Sequence, residues 1–424
     1  MKTALLFILS TVLLTVSCKE RDASTAERVD NNEQAMDTIL EGIFRKNELM
    51  GMSVLLIDEG KVQWHKSFGL SNVANGSKVT SNTKYRVASI SKTVTTLALM
   101  QLMEKGKVDL HTDVSDYLGW ELRNPNFPDI PITLYHLLTH TSGISDGEGY
   151  GRFSKEMIEG QLPIKALFDP DGAYFTEDMY SKHAAGTFFN YTNSTWGIIA
   201  SVIEIASQMS FDSYCRTHIF NPMGMHADFD PANVDNIDDL AVLYRFKEGQ
   251  WTPQTDDYQG QKPPTRMYEG YQPGQNGLLF GPQGNLRASA EDLAQIIKLF
   301  LNGGSINGHQ IITKASADMM LKSHWDYDGD NGNTWNNFYL SYGLGIHRIT
   351  NTPKSDIIFE DRTMAGHPGI AYGLLSDMYF NIPTQTGIVF ITNGSKLAFK
   401  YGKETTFYQV EEDVFKAVYP LLKK

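Results

Sequence analysis

The sequence predicts an α+β chain whose single sheet is built from both ends, with a helical domain inserted between them. Three observations carry this. Apolar, β-branched runs bounded by turn residues occur near the start, at 53–58 and 61–68. Similar runs return near the end, at 364–365, 372–382 and 387–392. Helical-period patterns fill the middle. Strands confined to both ends of a helical stretch have to pair with one another to bury a common face. The sheet is therefore expected from about 35–84 and 340–424, and the helical region from about 85–339.

The elements follow in order. Lys2 precedes an apolar run from Ala4 to Val16 that ends at Ser17-Cys18. Its length suits the core of an export signal and is short for a membrane span. A small residue followed by Cys resembles a bacterial lipoprotein signal over 1–18, in which Cys18 carries lipid and tethers an exported protein in the periplasm or at the cell surface. Plain secretion is the alternative. Residues 19–34 are polar and expected to be a flexible tether, with one domain over 35–424. Met36, Ile39, Leu40, Ile43 and Phe44 recur at helical spacing. The runs 53–58 and 61–68 form a hairpin around Glu59-Gly60. Helices are expected over 91–105, 134–139, 194–208 and 290–301, the last opened by Ser289 with Asp292 three residues on, close to a capping box. Long loops at 145–187 and 247–285 separate them. A terminal helix closes the chain at about 404–422.

Composition narrows the function. Hydrophobic residues make up 41% and charged residues 20%, and the net charge is −12. An acidic surface repels phosphate backbones, so nucleic acid is not an expected partner. The two cysteines are Cys18 and Cys215. With lipid on Cys18, Cys215 has no partner and is expected to be a buried, inert thiol.

Three patterns can carry chemistry. In Ser89-Ile90-Ser91-Lys92 a hydroxyl and an amine lie one helical turn apart, on the same face. A Ser hydroxyl needs a base, and burial can make a Lys amine that base by lowering its pKa. Ser89 opens a helix, so its N–H can also face a developing oxyanion. Ser81-Asn82-Thr83-Lys84 repeats the spacing but sits among polar turn residues. Tyr191-Thr192-Asn193 precedes a second helix; a phenol beside a Lys cation can have a lowered pKa and relay protons, and the Asn amide can hold a substrate amide. Tyr379-Phe380-Asn381 repeats this pattern in a strand candidate. His367-Pro368-Gly369 comes before two strand candidates; His367 can be an electrostatic partner and the Ile370 N–H a second oxyanion donor. Lys247-Glu248-Gly249 and Lys400-Tyr401-Gly402 lack that context.

In this order, Ser-x-x-Lys, Tyr-x-Asn and His-x-Gly resemble the serine β-lactamase and penicillin-binding-protein superfamily, and most closely the class C β-lactamase-related serine hydrolases. The segments 85–93, 137–144, 222–225 and 286–293 are similar to family segments in the same order, so the likeness covers about 35–424. It implies a β-lactamase/transpeptidase-like fold, an α/β sandwich with an antiparallel sheet flanked by helices and an inserted helical domain, with no metal or cofactor. Ser89 is implied as nucleophile, Lys92 as proton acceptor, Tyr191 as helper in acylation and deacylation, Asn193 as substrate contact and His367 in place of the third-motif Lys. Pro368 stands where Ser or Thr is common and brings neither hydroxyl nor N–H. The expected activity is therefore on a small-molecule or short-peptide ester or amide that lacks the carboxylate of a β-lactam. The alternatives are a D-amino-acid carboxypeptidase or β-lactamase, and a binding or sensor protein that acylates without turnover.

Other patterns compete. Gly143-Ile144-Ser145-Asp146-Gly147 matches a nucleophile elbow but lacks the strand before it. His136 and His140 have zinc-chelating spacing without the adjoining Glu. Asp326-Tyr327-Asp328-Gly329-Asp330-Asn331 begins like a calcium loop with Asn331 at the obligatory Gly position.

Overall fold

The computed structural model describes residues 23–397 and 399–422. Its main sheet contains β1 (Gly51–Asp58), β2 (Lys61–Asn72), β3 (Ser77–Lys78), β4 (Trp325–Asp326), β5 (Ser341–Tyr342), β6 (His347–Arg348), β7 (Ala365–Ala371), β8 (Leu374–Asn381) and β9 (Thr386–Thr392). The spatial order is β4-β5-β6-β7-β8-β9-β1-β2-β3, with antiparallel pairing throughout. The N-terminal hairpin docks against the last strand, so Val54 faces Lys66 on one side and Phe390 on the other. Both ends of the chain thus build one sheet, which begins at Trp325 on the C-terminal side rather than near 340.

Alternation along the strands creates two cores. Val54 and Leu56 of β1 join Tyr379 and Phe390 beneath two helices, α1 (Ala23–Lys46) and α5 (Gln409–Val418). Leu55 and Ile57 join Met378 and Val389 on the opposite face. There they meet the helical region, including α2 (Ser91–Glu104), α3 (Thr195–Ser207) and α4 (Ala290–Leu301). The predicted capping box forms at the start of α4: Ser289 Oγ accepts from the Asp292 amide at 3.1 Å, and Asp292 Oδ2 accepts from the Ser289 amide at 2.9 Å.

Some boundaries differ from expectation. α1 starts at Ala23, inside the segment 19–34 expected to be a tether. Ala23, Ala26, Glu27, Arg28, Glu33 and Gln34 are good helix formers, and a polar composition does not by itself prevent a helix. The expected signal and Cys18 lie outside the described residues. The loop 145–187 holds the helices Glu148–Glu156 and Lys165–Phe168, and a hairpin of Leu243–Lys247 with Gln250–Thr255 enters the loop 247–285. Cys215 is fully buried, and burial pushes its thiol well above the ordinary range.

Candidate active site

Ser89 sits in a tight turn, Ala88–Ile90, that runs directly into α2. Ala88 adopts φ +47°, a conformation costing an L residue roughly 1–3 kcal/mol. The surroundings hold this strain in place. The Ser91 hydroxyl donates to Ala88 O at 2.6 Å and accepts from the Leu286 amide at 3.0 Å, while the Val87 amide donates to Leu286 O at 2.9 Å. The bend turns Ser89 toward a cavity while its neighbours Ala88 and Ile90 stay in the core.

Lys92, one turn into α2, is fully buried. Its Nζ lies 3.0 Å from Ser89 Oγ, 2.8 Å from Asn193 Oδ1 and 3.0 Å from the Gln283 carbonyl oxygen. The ring centroid of Tyr191 is 4.8 Å away. Burial lowers its pKa to about 7, against a smaller opposing pull from the Asp146 charge. Two of its three partners are oxygens that can only accept. A neutral amine that donates to both keeps its lone pair for the third partner, the Ser89 hydroxyl.

Tyr191 lines the same cavity and hydrogen-bonds with Ser89 and Tyr339. Its ring stacks on Tyr339 at 5.1 Å between centroids and leans on His140 at 4.3 Å. A lowered phenol pKa was the expectation; burial instead raises it above the ordinary tyrosine value, so the group is held as a neutral phenol. Asn193 is engaged at both ends. Its Oδ1 receives Lys92, and its Nδ2 donates to Asp146 Oδ2 at 2.9 Å. Asp146 also accepts from the Asn193 and Ser194 amides, each at 2.8 Å. Asn193 therefore fixes Lys92 as well as facing the cavity, where a substrate contact alone was expected.

The third motif lies inside β7, not ahead of a strand. Proline is tolerated there because β6 pairs only with Gly366 and Ala365, leaving the rest of β7 as an edge. Gly369 is where this strand meets the nucleophile turn. An added Cβ would lie 2.5 Å from Val87 O and collide with Ser376 Oγ, so no side chain fits. Pro368 and Ile370 line the cavity with Ser89. His367 is fully buried, with its ring centroid 6.2 Å from that of Tyr191. Nδ1 donates to the Pro368 carbonyl at 2.7 Å, which leaves Nε2 to accept from Tyr342 OH at 2.9 Å. Burial first, then the Lys92 charge, push its pKa well below the usual histidine value. His367 is thus a buried neutral ring behind the cavity lining, where an electrostatic partner in place of the third-motif Lys was the expectation.

The cavity has a volume of about 330 Å³. Part of its wall was not anticipated: Trp335 and Tyr339 precede β5, and Phe407 and Glu411 come from the C-terminal segment. Asp146 and the Gln283 carbonyl were also missed, the first because its motif suggested a different nucleophile, the second because any residue supplies a carbonyl. The competing patterns have other roles. Ser145 Oγ accepts from Asn190 Nδ2 at 3.1 Å. His140 takes the Thr192 amide on Nδ1 at 3.2 Å and packs in the aromatic core, while His136 Nδ1 accepts from the Thr133 amide. Asp328 Oδ1 accepts from the amides of Asp330 and Asn331 within its own loop. Tyr379 OH meets His347 Nδ1 at 2.8 Å inside the sheet. Among the described residues no cluster of three or more His, Cys, Asp or Glu is placed to hold a metal.

Comparison with known proteins places the chain in a family. The Beta-lactamase family model matches residues 29–410. "Protein flp" of Staphylococcus aureus (strain MW2) is 27% identical over 274 residues, 64% of this chain and 50% of that protein. "Penicillin-binding protein 4*" of Bacillus subtilis (strain 168) is 29% identical over 200 residues, 46% of this chain and 41% of that one. The chain thus spans about half the length of these curated relatives. Among solved structures, the octameric penicillin-binding protein homologue from Pyrococcus abyssi superposes with a TM-score of 0.67 at 22% identity, covering 92% of this chain and 77% of that one. The penicillin binding protein from Bacillus halodurans gives 0.61 at 21% identity, covering 90% and 98%. The chain belongs to the Beta-lactamase family, within the serine β-lactamase and penicillin-binding-protein superfamily, whose members are generally serine hydrolases.

Proposed function

We propose that this member of the Beta-lactamase family is a serine hydrolase that opens esters or amides through an acyl-enzyme on Ser89. One observation carries the reading: a buried amine lies 3.0 Å from the Ser89 hydroxyl, and its other two partners are acceptors. Lys92 takes the Ser89 proton as Oγ attacks the substrate carbonyl carbon. The amides of Ser89 and Ile370 receive the oxyanion. The leaving group departs with a proton returned from Lys92 through the neutral Tyr191 phenol. Water then attacks the acyl-enzyme, its proton passing by the same route, and the acid product leaves Ser89 free. Pro368 and the neutral His367 offer neither hydroxyl nor cation to a substrate carboxylate, which supports a preference for substrates without one.

Labelling with a fluorophosphonate followed by mapping of the modified residue tests this. The expected result is modification of Ser89 and steady turnover of a neutral ester; a label elsewhere defeats the assignment. Nitrocefin turnover matching that of the best ester would overturn the substrate preference, and a burst without turnover would favour the sensor alternative. We also propose export, with lipid on Cys18 as the membrane attachment. Detergent partitioning of the full chain against Cys18→Ala tests it, the variant being expected in the aqueous phase.

A further inference from the structure

We propose that the part of the cavity wall contributed by α5 is a cation site, in which Glu411, backed by Asp377 and flanked by aromatic rings, receives an ammonium group on an otherwise apolar substrate. The substrate class is then an ester or amide carrying a primary or quaternary amine, an inference that rests on the hydrolase reading for its catalytic half only.

The argument starts in the sheet. Every residue of β8 is buried, and Asp377 is an acid in its middle. It pairs across the strand with Pro368, so it stands on the same face of the sheet as a residue that lines the cavity. Among the described residues neither Asp377 oxygen is reached by a backbone N–H or by any side chain other than the Glu411 carboxyl, with which it shares a hydrogen bond. Glu411 is 2% exposed and lines the cavity itself. Its Oε2 accepts from the Tyr408 amide at 2.6 Å and caps α5. Capping explains one carboxyl. It does not explain a second one buried against the first, which costs desolvation without adding a bond to the backbone. Burial accordingly holds Glu411 up at about 7, and a positive charge supplied from the cavity would relieve both groups.

The rest of the wall fits such a charge. Among the described residues lining the cavity there is no Lys, Arg or His, whereas Trp335, Phe338, Tyr339 and Phe407 present rings. Aromatic faces beside a carboxylate attract ammonium groups and accommodate the carbon chain that bears them. Trp335 is 46% exposed, and so is reachable at the mouth.

Two measurements test this separately from Ser89 chemistry. Quenching of tryptophan fluorescence, assigned to Trp335 by its loss in Trp335→Phe, is titrated with hexyltrimethylammonium, hexan-1-ol and hexanoate. The expected result is cation binding about tenfold tighter than either other probe, a factor equal to about 1.4 kcal/mol. That advantage should shrink in Glu411→Gln and in Asp377→Asn, two variants that guard against one failing to fold. Equal binding of the three probes by the wild type, or tighter binding of hexanoate, overturns the site. The second measurement compares 4-nitrophenyl 6-aminohexanoate with 4-nitrophenyl heptanoate. The ratio of their kcat/KM values, taken within one preparation, should favour the amine and fall in both variants; a wild-type ratio below one overturns the substrate class. Absence of turnover on both esters with Ser89 unlabelled defeats the hydrolase reading, and the quenching titration still decides the cation site.

Discussion

The chain writes the pattern Ser-x-x-Lys twice within a dozen residues, and the two copies have different fates. In the first, Ser81 is exposed on a turn closed by the Thr83 amide donating to Thr80 O at 3.2 Å. Lys84 points to a carboxylate, with Nζ 3.8 Å from Asp239 Oδ2. In the second, the intervening residues lead into α2, the hydroxyl and amine return to the same face, and the amine meets neutral oxygens instead of an acid. Three-residue spacing makes a pair only where the backbone between is helical. A buried lysine becomes a base only where its partners leave a lone pair free and no counter-ion touches it.

The largest test of that contrast is to remove each hydroxyl. Ser89→Ala should reduce kcat/KM for an ester by about 10⁴-fold or more, the scale seen when a nucleophile is deleted. Ser81→Ala should change it less than about twofold, as surface substitutions do. Comparable losses in the two variants would erase the distinction. Next in size is Gly369→Ala. The new methyl would push β7 away from Val87 and with it the Ile370 amide, and misplacement near 1 Å costs about 10²-fold in rate. Steady-state kinetics on folded protein checks this, and an unchanged kcat would show that β7 does not set the oxyanion geometry. Smaller again is the effect of pH. Lys92 accepts a proton only when neutral, so kcat/KM should fall about tenfold per pH unit below its midpoint and level off above it. With the pKa lowered to about 7, the midpoint belongs near neutrality; a plateau extending down to pH 5 would deny the amine its role.

Much of this was legible because periodicity and capping act locally. The helical spacing of Met36, Leu40 and Ile43 in α1, the box at Ser289 and the apolar run of β1 name their own elements. The Ser89 and Lys92 pair followed from the same helical rule. What escaped depends on tertiary surroundings. Tyr191 and His367 were seen as residues, but their protonation follows from burial, which no local pattern encodes. β7 runs well past the expected 364–365, through Pro368, because that part of the strand is an edge, and which strands pair is not written locally. Asp377 and Glu411 are separated by more than thirty positions and meet only because α5 folds onto β8. The α1 start at Ala23 was missed for the opposite reason: the segment has helical propensity but no apolar stripe to announce it.

Asp146 offers the finest test, since it touches Asn193 and not Lys92. Its charge favours the ammonium form and opposes the effect of burial. Removing the charge with Asp146→Asn should therefore move the acid limb of the kcat/KM profile to lower pH. Asp146 is exposed, so solvent screens it, and the shift should be about a few tenths of a pH unit, shrinking as salt is raised. The substitution also sets an amide donor near the Asn193 N–H groups that the carboxylate now accepts, so kcat should drop severalfold as Asn193 loosens. The two effects separate, because loosening lowers the plateau while charge moves the midpoint. A midpoint that rises, or that shifts equally at low and high salt, would mean that Asp146 acts on Lys92 through geometry alone. The difference between the two Ser-x-x-Lys copies would then rest on helix register and burial, with no share left for the distance of the nearest acid.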